Sequence, residues 1–440
     1  MKKMLWVALA LLISTASIFP AVAAMVPKRT VLANGLVLLT SEQRALPMVS
    51  IELLIDAGSR HETASQAGLA NLTSKLLTQG TQKRSATQIS ETLDFMGASL
   101  ATGAGEDIAT VSMTILKKDL PAGLELLAEI LAQSNFPQAE IDRQKQAVIA
   151  SIKAREEDPG AVAGLAFNAA LFPKSPYGRP VEGTEASVKA IAQKSLQDFF
   201  SRCYRPNRAI IAVVGDVAEQ EVAQALTKAM KAWSKGAPGT KPQPPAEIGK
   251  AQTVEINKDL TQANIVLGHN GVNRGNPDYY AIQVMNYILG GGGFSSRAMD
   301  SIRNERGLAY SVYSYFAAEK SHGSFQFVMQ TKNETAGEAI RIAKEEMRRI
   351  REQPVSEQEL SDAKDYLIGS FPLRFDTNRK VAGFLAQVEY YELGLDYPER
   401  YADLIRAVTR DDVLRAAKQY LRPDDLVTVI VANQSKIGKN

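Results

Sequence analysis

Alternation and helical spacing divide this chain into recurring pieces. Val49–Gly58 (VSIELLIDAG) is an apolar run broken by single polar residues and closed by glycine, which predicts a strand. Ala98–Leu116 reads as two strands folded around a turn at Gly103–Asp107. Leu120–Gln133 and Ala139–Glu157 carry apolar side chains at helical period. Gly68–Leu77 (GLANLTSKLL) predicts a shorter helix. Its Asn71, Ser74 and Lys75 stand at i, i+3 and i+4 and so share one side. Further along, Asp278–Leu289 (DYYAIQVMNYIL) is helical in pattern. Arg303 falls near a helix end, Gly307 suits a helix C-cap, and Leu308–Phe316 follows as a strand with Tyr310 on one face.

One block occurs twice. SLQDFFSRCYRPNRAIIAVVGD, starting at Ser195, and DVLRAAKQYLRPDDLVTVIVAN, starting at Asp412, both run from amphipathic helix through Arg-Pro and a polar pair into an apolar strand. Aligning Pro206 with Pro423 places the copies half a chain apart, which points to duplicated domains rather than a solenoid. Between them, Ser234–Lys250 holds four Pro and three Gly and cannot form a helix or a central strand. The expected organisation is therefore a leader over 1–24, a first domain over 25–235, a linker over 236–250 and a second domain over 251–440. Strand pairs followed by long helices make each half α+β.

Composition narrows the function classes. The 440 residues are 45% apolar and 22% charged, as in a packed globular protein of more than one domain. The first segment opens with Lys2 and Lys3, continues through an apolar stretch from Leu5 to about Ile18, and closes on Ala21-Val22-Ala23. That is the form of a cleaved secretory signal, and the apolar run, broken by Ser14, Thr15 and Ser17, is short for a membrane span. A periplasmic protein with no stable membrane span after cleavage is expected. The formal net charge is +3, of which Lys2 and Lys3 supply two units, so no strongly basic field remains to bind nucleic acid. Cys203 is the only cysteine, so no internal disulfide forms.

The order of motifs carries a resemblance. VLANGLVLLTSE, IDAGSRHE, GLANLTSKLL and TQGTQKRS are followed by SPYGRPVEGT and YRPNRAIIAVVGDV. GGGGFSSRAMDSIRNERGLAYSVYS and YLRPDDL complete the series. The chain resembles the pitrilysin/insulinase family of zinc peptidases from about Val26 to its last strand. The resemblance implies two homologous α+β domains, each a mostly antiparallel sheet packed with helices, together forming a bowl-shaped half of a clamshell. Active members carry H-x-x-E-H on the first helix, with two His binding zinc, the Glu acting as general base and a further Glu on a later helix completing the site. Laid on this sequence, the His positions fall on Asn71 and Lys75, the base on Ser74 and the last ligand on Ser151. All four are replaced, and a lysine ammonium has no lone pair to offer a metal. No cofactor is expected in this chain.

The second half keeps an Arg and a Tyr seven residues apart, Arg303 and Tyr310. By resemblance, Arg303 binds substrate backbone and Tyr310 donates a hydrogen bond to the scissile carbonyl as it becomes an oxyanion. Some bacterial members divide the work between two chains. The expectation is then a non-zinc subunit, inactive alone, paired with a homologous zinc-bearing subunit and acting on peptides. The alternative is a non-enzymatic peptide-binding or scaffold protein of the envelope. His61, His269 and His322 share no local metal spacing, and three histidines leave no Ser-His-Asp set in view. LGGGGFSSR lacks the Gly-Lys-Ser/Thr ending of a phosphate loop and follows a helix rather than a strand. Ala101-Thr102 stands where family members pair a substrate strand, in place of the usual Asn-Ala.

Overall fold

The structure is a computed structural model that describes residues 27–438. The leader expected over 1–24 lies outside the described residues. Two mixed sheets dominate. The first is built from β1 (Lys28–Val31), β2 (Val37–Glu42), β3 (Met48–Ile55), β4 (Ser99–Ala104), β5 (Ala109–Leu116) and β6 (Ala209–Gly215), in the order β1-β2-β6-β3-β5-β4. The second comprises β7 (Gln252–Asn257), β8 (Gln262–Asn270), β9 (Ala309–Ala318), β10 (Gly323–Lys332) and β11 (Val427–Ala432), in the order β7-β11-β8-β10-β9. Apart from β1, the two orders are the same topology. Each has one parallel pair, β2 with β6 and β7 with β11, and is otherwise antiparallel. The duplication read from the Arg-Pro blocks thus extends to strand order, and the fold is α+β as expected.

Strand alternation explains how both faces of each sheet are covered. In β3 and β6, Val49, Ile51, Leu53, Ile211 and Val213 face the helices of their own half, including Leu120–Gln133. Leu54, Ala212 and Val214 face the other way and pack on Val381, Ala382, Leu385 and Ala386. Those four belong to the helix Asn378–Tyr390, which comes from the far end of the chain. The exchange is reciprocal. Val266, Val427, Val429 and Val431 of the second sheet pack on Ala163, Phe167 and Leu171 of the helix Pro159–Leu171. Each half therefore lends one apolar helix to the other's sheet, a pairing that domain limits drawn along the sequence do not express.

The exchange is fastened by a buried carboxylate in the β4–β5 turn. Asp107 accepts hydrogen bonds from Tyr177 Oη at 2.9 Å and from Tyr390 Oη at 3.1 Å, and Tyr390 ends the exchanged helix. Segment 236–250 runs without helix or strand. Among the described residues, no helix is long and apolar enough to cross a membrane.

Candidate functional site

The helix carrying three of the four replaced metal positions is Leu69–Leu76. It starts at Gly68, where φ is +96° and an added Cβ would lie 2.7 Å from the Glu182 carbonyl oxygen, leaving no room for a side chain. Glu62 caps its start, accepting from the backbone N–H of Gly68 at 3.1 Å and of Ala70. Burial pushes the Glu62 carboxyl up to about 7 against these hydrogen bonds and the nearby Arg179. The four positions then separate. Asn71 and Ser74 are buried, and the Ser74 hydroxyl donates to the Asn71 carbonyl at 2.9 Å. Lys75 is exposed, as is Ser151 on the helix Gln138–Glu156 that packs on the first.

This donor set does not fit zinc. It contains no imidazole, thiolate or carboxylate. The buried Asn71 amide nitrogen, a donor and not an acceptor, has no partner, and the Ser74 hydroxyl is spent on a neighbouring carbonyl. Among the described residues, no group of three His, Cys, Asp or Glu could hold a metal.

The histidines serve structure. His61 Nε2 lies 2.6 Å from Asp56, which Arg208 also binds. His269 accepts from the Arg422 backbone N–H at 3.1 Å, and burial pushes its pKa down to about 4. His322 stacks on Tyr177 with centroids 3.7 Å apart. All three are at least half-buried and held by these contacts.

The second half brings Arg303 and Tyr310 together. Arg303 sits in a wide π-helical turn, Met299–Asn304. Gly307, at φ +63°, ends it: Gly307 N–H donates to the Arg303 carbonyl and Leu308 N–H to the Ile302 carbonyl, both at 2.9 Å. β9 then begins at the sheet edge. In its ladder, Gln330 faces Ser311 and Thr331 faces Ala309, so Tyr310 is the extra residue of a bulge. Bulges re-aim side chains, and here Tyr310 is left 76% exposed. The Arg303 guanidinium lies 4.9 Å from the Tyr310 ring centre and 4.9 Å from that of Phe294. Its one polar neighbour is Met299 Sδ at 3.9 Å, and no carboxylate pairs with it among the described residues.

Phe294 was not singled out by the sequence, although its place on the glycine-rich loop was the available signal. That loop is a tight connection between two π-helical turns, Tyr287–Gly291 and Met299–Asn304. A Cβ at Gly290 would lie 2.5 Å from the Ser314 hydroxyl. The first half's equivalent of β9 is β4, also a sheet edge, where Ala101 is exposed.

Two halves of one topology, a first helix without metal donors and a half-buried Arg303 beside an exposed Tyr310 in the second half define a peptidase-like α+β protein whose metal positions have been replaced. Residues 37–185 match the family described as Insulinase (Peptidase family M16), and residues 190–367 match its Peptidase M16 inactive domain. The chain belongs to peptidase family M16, the insulinase family, and lacks that family's zinc site. It is 27% identical to an uncharacterised zinc protease of Streptomyces coelicolor over 92% of this chain and 89% of that one. It is also 27% identical to the non-peptidase homolog YmxG of Helicobacter pylori, over 90% and 91% of the two chains. A crystal structure of a peptidase M16 inactive domain from Pseudomonas fluorescens superposes with a TM-score of 0.89 at 28% identity, covering 94% of this chain and 99% of that one.

Proposed function

We propose that the protein is the non-zinc subunit of a two-chain periplasmic metallopeptidase, inactive alone and completed by a homologous partner that carries zinc. The observation that carries this reading is the Arg303–Tyr310 pair: an exposed tyrosine on a bulged edge strand, beside a guanidinium that no carboxylate among the described residues neutralises. A structural arginine would be expected in an ion pair, and a structural tyrosine with its ring packed. In the complex, Arg303 binds the peptide backbone. Tyr310 donates to the carbonyl oxygen as negative charge develops on it, an interaction stronger in the transition state than in the ground state. Bond cleavage itself belongs to the partner.

The test is isolation of the native protein from envelope extract. A companion of similar length bearing H-x-x-E-H should co-purify, and the mixture should cleave unfolded peptides until a chelator is added. A chain that purifies alone, with no chelator-sensitive cleavage in any fraction containing it, overturns the proposal. That result would favour the second reading, an envelope scaffold or peptide-binding protein, which the non-peptidase relative of Helicobacter pylori supports.

A further inference from the structure

Phe294 stands out among the exposed apolar residues because it lies beside Arg303. Its ring is 70% exposed, on a loop where a small polar residue would be expected. The loop nevertheless holds it firmly. Gly293, at φ +57°, sets the turn that aims it, in a conformation that favours glycine. The Ser296 hydroxyl donates to the Gly293 carbonyl at 2.7 Å, and the same carbonyl accepts from Ser296 N–H at 3.0 Å. On the upstream side, Asn286 and Ser314 exchange two hydrogen bonds, of 3.0 Å and 2.8 Å, which tie the helix before the loop to β9. Downstream, Arg297 grips Glu359 through two hydrogen bonds of 2.7 Å and 3.0 Å. An exposed aromatic ring is thus held on a braced loop, directly over the Arg303 guanidinium.

We infer that Phe294 is a positioning residue for Arg303: together with Tyr310 it holds the guanidinium by its π faces, leaving the N–H edge free for a backbone carbonyl or carboxylate of a peptide. The inference rests on the two-chain reading above and deepens it. The physical logic is that a guanidinium binds acceptors in its plane and aromatic rings over its faces. Fixing it by ion pairing would consume the edge donors that a substrate needs. Fixing it by rings leaves them available and prepays the side-chain entropy of binding. The same geometry accounts for Arg303 having no carboxylate beside it among the described residues and for a phenylalanine left in solvent.

The test uses the native two-chain complex and four substitutions in this chain: Phe294→Ala, Phe294→Tyr, Arg303→Ala and Tyr310→Phe. Phe294→Ala should raise KM, lowering kcat/KM by roughly 3- to 30-fold, the range of a cation–π contact. Phe294→Tyr, which keeps the ring, should restore at least half of the lost rate constant. In the Arg303→Ala background, Phe294→Ala should have no further effect, because its only role is exerted through Arg303. A second measurement needs no partner: in the isolated chain, the Arg303 Nε–H resonance should shift on Phe294→Ala and stay near its original position in Phe294→Tyr. If Arg303→Ala and Tyr310→Phe leave turnover unchanged, the two-chain reading falls and this inference with it. If those two matter but Phe294→Ala is silent, or adds fully to Arg303→Ala, or leaves the Arg303 resonance in place, only the role of Phe294 is overturned.

Discussion

The two halves of the molecule share a strand order and differ in what their polar groups do. In the first half, two of the four replaced metal positions, Asn71 and Ser74, are buried, and the other two, Lys75 and Ser151, are exposed without a metal donor between them. Ser74 bonds a backbone carbonyl one turn away, Asn71 is buried, and Glu62 caps the helix they stand on. In the second half, the corresponding edge strand begins with a bulge that holds Tyr310 out, and the Arg303 guanidinium beside it lies against the rings of Tyr310 and Phe294 and Met299 Sδ. The edge strands repeat the contrast: β4 exposes Ala101, while β9 exposes Tyr310, Tyr313 and Tyr315. At the replaced positions only the Ser74 hydroxyl finds a partner inside the fold, and that partner is a backbone carbonyl of its own helix. Groups held incompletely partnered by a bulged edge strand and a braced loop are the ones for which a role outside the chain has to be sought.

The strongest way to break the comparison is at the exchanged helices, which hold the two halves in one body. Phe167 is fully buried against the second sheet and Leu385 against the first. Phe167→Ala should cost about 3–5 kcal/mol and Leu385→Ala about 2–5 kcal/mol of unfolding free energy. Urea denaturation followed by fluorescence reads both. If the exchange couples the halves as the packing implies, each variant should still unfold in a single transition. Two separated transitions in the wild type would show halves that fold independently.

Next in size is the chemistry of the second half. Tyr310→Phe keeps the ring over Arg303 and removes only the hydroxyl. In the two-chain complex it should lower kcat by roughly 10²–10³, the loss seen when one oxyanion donor is removed. Assembly, measured by gel filtration, should be unchanged, because an exposed hydroxyl supports no packing. An unaltered kcat would make the second half as silent as the first.

How much of this contrast was legible in the sequence depends on what kind of information each feature needs. Local periodicity was sufficient for Leu120–Gln133, which the structure reproduces residue for residue, and for Gln138–Glu156, shifted by one. The replaced metal positions, too, could be named from spacing and resemblance. Pro159–Leu171 could not be assigned to its partner: an apolar helix announces burial but not the sheet that buries it. The bulge at Tyr310 was hidden because alternation through AYSVYSYF is compatible with an unbroken strand, and only the register with β10 reveals the extra residue. The π-helical turns around the glycine loop were invisible for the same reason, since a single wide turn leaves the apolar spacing nearly unaltered. Phe294 needed all of these at once.

A subtler contrast lies in two glutamates, one per half, each accepting a backbone N–H at a helix start. Glu62 is raised to about 7 by burial, which its two N–H donors and Arg179 do not offset. Its folded value exceeds the usual 4.5, so its contribution is fully present below about pH 4.5 and is lost as pH rises toward 7. Glu359 runs the other way: burial would raise it, but Arg297 and the Ser356 N–H hold it down to about 2. Its contribution is present above about pH 4.5 and is lost as pH falls toward 2. Glu62→Gln should therefore flatten the decline in stability between pH 4.5 and 7, whereas Glu359→Gln should destabilise at neutral pH by an amount that shrinks on acidification. Urea midpoints across the range decide both. A Glu62→Gln variant with the wild-type slope would remove the first, and a Glu359→Gln deficit independent of pH the second.

The smallest expected effect sharpens the comparison most. Lys75 and Ser151 are exposed, so Lys75→His with Ser151→Glu should change stability by no more than about 0.5 kcal/mol, the usual range for surface substitutions. The double variant should still bind no stoichiometric zinc, because the two remaining positions are Asn71 and Ser74. Adding Asn71→His and Ser74→Glu supplies the full donor set but requires a carboxylate at a site with no solvent exposure, beside the Asn71 carbonyl that Ser74 now satisfies. That variant should lose stability, since a buried charge without a partner is strongly unfavourable. Any zinc it takes should be held weakly for want of groups to orient the new ligands. Metal analysis after dialysis against micromolar zinc separates the cases. One zinc per chain in the wild type would place a metal site on other donors of the chain. One zinc per chain in the double variant would mean that the first half had kept an open site, and that its inward-turned Ser74 is not what closed it.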